Sequence, residues 1–296
     1  SSLKKESKDV LKAINFDELA DSPIIASNTV QHKVKKIEGV DFNFCFQGEV
    51  KIDWVKIFND FEKFIKYQIK QFGNFPYQEF YFLFQITPFN AYHGVEHHRS
   101  TVILLGSSYD VFGKLYNELL GVSSHELYHV WNVKLIRPSS MHPYDFSKEN
   151  YTHMGYVAEG VTTYMGDRIL YESKVFSKTD YFKELKTLLI RHFHNDGRKH
   201  YSVAESSWDT WLDGYVSGAP GRKVSIYVEG ALIAMICDAK IREKTNGEKT
   251  LHDVMRKLYS GSVKETSYDK NNYKSILEEV SGFDFSEIFN KLVYGN

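Results

Sequence analysis

Apolar positions recur at helical spacing over residues 54–72, at Trp54, Phe58, Phe61, Ile65 and Ile69. That period predicts an amphipathic helix, and Gly73 is placed to stop it. Residues 80–87 are aromatic and apolar and read as a buried strand ended by Pro88; residues 101–105 read as a second strand. A long helix is predicted over 115–134, a Pro-flanked loop over 139–145, and further helices over 150–173 and 180–194. The Gly-rich stretch 208–222, with Trp208, Trp211 and Tyr215, reads as a loop. Helices follow over 224–242, 251–259, 271–280 and 285–293. Near the start, Asp21-Ser22-Pro23 reads as a turn, with short strands at Ile24-Ile25 and 34–37. Strands come early and helices late, which predicts an α+β fold with a mainly helical C-terminal half. The expected division is residues 1–50 as the end of a β region or linker, 51–175 as an α+β subdomain, and 176–296 as a helical subdomain.

Composition narrows the class. In 296 residues, 37 Lys+Arg face 38 Asp+Glu, for a formal net charge of −1. That balance argues against a nucleic-acid binder driven by global charge. Hydrophobic residues at 42% and charged residues at 25% suit a folded globular chain and exclude a mostly disordered one. Two cysteines, Cys45 and Cys237, do not make a disulfide framework or a cysteine-based zinc site. No apolar run reaches the roughly 18–20 residues of a membrane span. Aromatics make up 15% of the chain, and core packing is the simplest role for most of them. The chain begins Ser-Ser-Leu-Lys-Lys, without Met or an apolar leader, and so reads as processed or truncated.

The strongest chemical signal is His125-Glu126-Leu127-Tyr128-His129. Two histidines four apart on a helix project from one face and can meet one tetrahedral Zn2+. The Glu between them stands where it can take a proton from a water at the metal. The competing reading is a surface helix with two incidental histidines, but the apolar flanks Leu119-Leu120 and Val130-Trp131 argue against it. A catalytic zinc needs a third protein ligand. Glu159, in Val157-Ala158-Glu159-Gly160, is the candidate, because a lone carboxylate on an apolar helix face is costly unless ligated or paired. His142 and His153 are the weaker candidates.

Three blocks in order carry a family resemblance: His125-Glu126-x-x-His129-x-Trp131-Asn132-Val133-Lys134-x-x-Arg137-Pro138, then Glu149-Asn150-Tyr151-Thr152, then Ala158-Glu159-Gly160. They resemble the glycyl aminopeptidase family of zinc metallopeptidases, whose catalytic domain is thermolysin-like. The resemblance implies Glu159 as third ligand, with 29 residues between it and His129. Two further stretches extend it. His93-Gly94-Val95-Glu96-His97 resembles the family's Gly-Gly-Leu-Glu-His block, which implies that Glu96 binds the substrate's free amine. Val224-Ser225-Ile226-Tyr227-Val228-Glu229-Gly230 resembles a Tyr-x-Lys-Gly block, which implies that the Tyr227 hydroxyl stabilises the oxyanion. Two departures stand out, Glu229 in place of Lys and His93 in place of the first Gly.

The resemblance runs from about Phe16 to the C-terminus. It implies a catalytic region without the N-terminal β-domain and C-terminal PDZ domain that usually accompany it. The function it implies is removal of the first residue of a peptide with a free N-terminus, favouring Gly or Ala. A zinc endopeptidase of the same fold and a catalytically weak zinc-containing peptide binder remain as alternatives, though a pure binding module has no need of Glu126. Lys134 and Arg137 read as binding a substrate carboxylate, holding a loop, or lying on a solvated face. Thr163 and Asp167 share the helix of Glu159, and either can orient a ligand. Trp208, Trp211 and Tyr215 line the cleft or pack the core.

Overall fold

The computed structural model describes residues 1–213, 219–262 and 264–295, which fall into two compact units. The first comprises Ser1–Val130 and Ile169–Ser177; the second comprises Trp131–Arg168 and Lys178–Asn296.

The first unit opens with a hairpin, β1 (Lys4–Ser7) and β2 (Val10–Lys12), and a short helix α1 (Phe16–Ala20). Its centre is a five-stranded sheet in the order β3-β4-β5-β7-β6. The strands are β3 (Gln31–Ile37), β4 (Val40–Gln47), β5 (Glu79–Ile86), β6 (Ala91–His97) and β7 (Ser100–Gly106). Helix α2 (Trp54–Phe72) lies between β4 and β5 in the chain, and α3 (Tyr116–Tyr128) follows β7.

Period-two alternation explains this sheet. In β4 every second residue is Phe42, Phe44 or Phe46; in β5 it is Phe80, Phe82 or Phe84, and all six are fully buried. The two strands run parallel with Phe42 opposite Phe80, Phe44 opposite Phe82 and Phe46 opposite Phe84. One face of the sheet is therefore an aromatic ladder, with Phe46 and Phe84 stacked at 4.2 Å between centroids. Helix α2 covers it. Asp53 caps its first turn, accepting from the Lys56 amide at 3.0 Å, and Gly73 ends it in a left-handed conformation. Its apolar face of Ile57, Phe61, Phe64, Ile65, Ile69 and Phe72 is buried, and Phe61 meets Phe44 at 5.1 Å and Phe82 at 5.2 Å. Gln68 ties α2 to α3, its Nε2 donating to the Ser124 carbonyl at 2.9 Å.

The second unit pairs β8 (Ile136–Pro138) with β9 (Thr266–Tyr268) in parallel. Its helices begin with a π-helical turn at Tyr156–Val161 that runs into α4 (Thr162–Glu172), then α5 (Lys178–Phe193). The short α6 (Val203–Trp208) and α7 (Thr210–Asp213) follow. Next come α8 (Ile226–Lys244), α9 (Leu251–Leu258), α10 (Lys270–Ser281) and α11 (Ser286–Ile288), which runs into a π-helical turn at Phe289–Val293. The core here is Val157, Ile233, Ala234, Val254, Met255, Leu277 and Phe285.

The α+β class agrees with the sequence, with several differences, among them α7 (Thr210–Asp213) within the stretch read as a loop. Ile24-Ile25 forms no strand, and the strand expected at 34–37 begins at Gln31. Strand β4 was not expected. The helix predicted over 115–134 stops at Tyr128, after which the Leu135 and Ile136 amides both donate to the Trp131 carbonyl in one wide turn. Residues 150–155 carry no α-helix, and the helix bearing Glu159 starts as a π turn. Among the described residues no helix is long and apolar enough to cross a membrane.

Candidate active site

Strand pairing in the first unit gathers one set of side chains. β6 and β7 form a tight hairpin through His98 and Arg99, with Glu96 directly opposite Thr101 and Gly94 opposite Ile103. Directly opposite residues share a sheet face. That face is the one turned to α3, since a Cβ built on Gly94 would stand 2.2 Å from Glu126 Oε1 and 2.8 Å from Val122 Cγ2. Gly94 is thus the gap that admits the Glu126 carboxylate. Thr101, fully buried, donates to the Val95 carbonyl at 3.0 Å and lies 3.4 Å from Glu126 Oε2.

Helix α3 and its C-cap His129 supply the other groups. His125 and His129 stand one turn apart, with their Nε2 atoms 3.0 Å from each other and their rings at 82°. Two nitrogens bound to one tetrahedral zinc at about 2.0–2.1 Å would lie about 3.3 Å apart. The pair is therefore set close to the spacing that a shared cation requires. His129 is 1% exposed and Glu126 5%, so both stand in surroundings where an ionised group needs a partner. Within the first unit, Glu96, Glu126 and His129 form a group of side chains able to bind a metal. Its ligand atoms all lie within 4.8 Å of one another. The donor set expected from the sequence, the two imidazoles of His125 and His129 with one carboxylate, is the chemistry that zinc takes in catalytic sites.

In the second unit, Glu159 occupies the π turn, flanked by the buried Val157, Ala158, Gly160 and Val161. This turn lies against α8, where Gly160 and Gly230 bring two backbones together. A Cβ on Gly160 would stand 2.3 Å from Gly230 Cα. Tyr227 sits in the first turn of α8, one turn before Gly230 and next to the cap Ser225, whose hydroxyl accepts from the Val228 amide. Glu229, the residue in place of Lys, is bonded to His192 Nδ1 of α5 at 2.8 Å.

The remaining sequence candidates have other roles. Arg137 is 7% exposed, bonds Glu265 at 3.2 Å and stacks on the Tyr144 ring at 3.9 Å, so it holds a loop. His142 Nδ1 pairs with the same Glu265 at 2.7 Å. His153 Nδ1 meets the Ala204 carbonyl at 3.1 Å, and its ring stacks on Trp208. Trp208 also stacks on Tyr151, and Trp211 Nε1 donates to the Asn150 carbonyl, so both tryptophans pack the segment that leads to Glu159. Tyr215 lies outside the described residues. Burial, with Glu184 beside it, pushes the Asp167 carboxyl up to about 7. Lys134 is buried. His93 alternates to the face of β6 opposite Gly94 and Glu96, so this departure points away from Glu126.

Sequence reasoning missed the roles of Thr101, Gly94 and the Gly160–Gly230 pair. Counting register back from the His98-Arg99 turn would have placed Thr101 opposite Glu96. Gly94→Ala drives a methyl into the Glu126 carboxylate. If Glu126 is the base proposed below, steady-state kinetics should show kcat down by about 100-fold with zinc content unchanged, since displacing a reacting group by about 1 Å costs that much.

With the geometry in place, the comparisons define the class. The fold is that of M1 zinc metallopeptidases. One such structure is a point variant from Deinococcus radiodurans bound to a Tyr-Ser-Ala substrate, with a TM-score of 0.54 at 13% identity over 86% of this chain and 49% of that one. Another, a two-domain M1 zinc metallopeptidase variant bound to L-tryptophan, gives a TM-score of 0.56 at 12% identity over 88% and 51%. An aminopeptidase N family protein from Idiomarina loihiensis is more similar, with a TM-score of 0.83 at 28% identity over 90% of this chain and 47% of that one. More particularly, residues 118–233 match the M61 glycyl aminopeptidase family, a peptidase family, so the resemblance read from the sequence holds over the stretch that carries His125, Glu126, His129, Glu159 and Tyr227. No curated protein matches. The chain spans about half the length of the solved structures it matches.

Proposed function

We propose that this chain is the catalytic region of a zinc-dependent aminopeptidase that releases the first residue of peptides with a free N-terminus. The observation that carries the reading is the convergence of His125, His129 and Glu126 on α3 with Glu96 on β6. His125, His129 and Glu159 would hold the ion. Zinc, when bound there, acts as a Lewis acid on the scissile carbonyl and acidifies a water.

The chain's own residues supply the rest. Glu126 takes the proton of the attacking water and returns it to the leaving amine. Its carboxylate lies against Gly94, which leaves it room, with the Thr101 hydroxyl 3.4 Å from Oε2. Glu96 offers the substrate ammonium a carboxylate partner, a charge-assisted bond that fixes which peptide bond reaches Glu126. A peptide laid along β6, the last strand of the sheet, would present its backbone to a strand edge. Tyr227 would donate its hydroxyl to the oxyanion as charge develops. The match to glycyl aminopeptidases supports Gly or Ala as the preferred first residue.

The test compares a glycyl anilide with its N-acetylated twin, zinc present. Cleavage of the free amine alone is the expected result. Equal cleavage of both would remove Glu96 from amine binding and favour an endopeptidase. Cleavage of neither, with zinc bound at one equivalent, would favour a peptide binder.

A further inference from the structure

Glu159 sits in a π turn, and π turns are rare and strained toward relaxation into the ordinary α-helix. The widened turn holds one residue more than an α turn. Relaxing it would swing the Glu159 side chain by about 100° around the axis relative to α4. Something must keep it wide, and the best-placed group is the Asn132 side chain. Asn132 is fully buried, and its Nδ2 donates to the Val157 carbonyl at 3.0 Å, the Ala158 carbonyl at 3.3 Å and Thr162 Oγ1 at 3.1 Å. Its acceptors are thus the two carbonyls just before Glu159 and the first residue of α4. Thr162 completes the bracket, its hydroxyl donating to the Ala158 carbonyl at 2.7 Å. The front of the turn is fixed separately, by the Tyr156 amide donating to Ser207 Oγ at 3.1 Å.

Resting on the zinc reading above, we infer that Asn132 is a positioning residue for the metal: it holds open the π turn that aims Glu159. Asn132 is three residues along the chain from His129, so a short segment joins one ligand to the support of another. Its role differs from packing, because it acts on carbonyls that bracket the ligand rather than on the core. Residues at this remove from a metal, orienting its ligands, typically change affinity 10–100-fold.

The experiment is zinc affinity by competition with a chelator, read without substrate, alongside thermal unfolding of the metal-free protein. Asn132→Ala should bind zinc 10–100-fold more weakly. Leu277→Ala, a truncation in the core of α10, should lower the metal-free melting temperature and leave zinc affinity within twofold of the parent. A second pair guards against a variant that does not fold: Thr162→Val should weaken zinc at least fivefold, and Thr162→Ser, which keeps the hydroxyl, should restore it. Parent-like zinc affinity in Asn132→Ala or in Thr162→Val overturns the inference, as does equal weakening in Leu277→Ala. A parent protein that binds no zinc would instead sink the functional reading itself.

Discussion

Glu126→Gln should leave the protein folded and fully loaded with zinc while kcat falls on the order of a thousandfold, within the 100- to 10,000-fold range for loss of a general base. The amide has nearly the shape of the carboxylate, so the space that Gly94 leaves remains filled. It cannot accept the water's proton, and KM should move little because the role proposed for this group is in proton transfer, not in substrate binding. Activity within tenfold of the parent would place the base elsewhere. Loss of zinc together with activity would mean that residue 126 supports the metal rather than the proton transfer.

Gly160→Ala should be the most damaging small substitution in the second unit. The added methyl would meet Gly230 Cα at 2.3 Å, its carbonyl carbon at 2.4 Å and the Ala231 amide nitrogen at 2.9 Å. All three are backbone atoms, so no rotamer change relieves the overlap. Overpacking costs about 1–3 kcal/mol where side chains can give way, and a backbone collision belongs at or above the top of that range. A loss of about 3 kcal/mol lowers the melting temperature by roughly 6–12 °C in a protein of this size. The same separation would pull the turn of Glu159 away from the first turns of α8, where Tyr227 sits, so catalysis should drop in whatever fraction folds. A melting temperature within 2 °C of the parent would show that the two backbones are not held together as described.

What the sequence made legible was local. Helix α2 declares itself through its apolar spacing, its Asp53 cap and its Gly73 stop, and all three are physical causes read within one segment. The proposed metal ligands His125 and His129 were legible for the same reason, since their one-turn spacing is set by α3 and its C-cap. The end of α3 was not. Residues 129–136 are compatible with a helix, and what diverts them is the commitment of Asn132 to carbonyls some 25 residues further on. The π turn was hidden for the same reason, because Asn132 and the Gly160–Gly230 crossing lie far apart in sequence. Strand β4 is a different case. Val40-Asp41-Phe42-Asn43-Phe44-Cys45-Phe46-Gln47 alternates plainly, and the miss came from reading the first 50 residues as a mixed linker. The register that sets Thr101 against Glu96 depends on the tight turn at His98-Arg99, where Arg99 adopts a left-handed φ of 57° and is anchored by Glu18 at 2.7 Å. No composition rule would have selected an arginine for that position.

The two borders of the five-stranded sheet have unlike chemistry. β3, at one end, carries Lys33, Lys35 and Lys36 within seven residues, whereas β6, at the other, carries none. Ammonium groups along a border deter an incoming strand, by charge and by the water they keep. The lysines of β3 project to both sides of the sheet, so neither approach is spared. The sheet's two borders therefore differ in kind: an incoming backbone meets ammonium groups at β3 and none at β6. If β6 takes up extended peptides as proposed, the fold runs the risk of fusing with its own copies at the other margin, and the lysines of β3 separate those two outcomes.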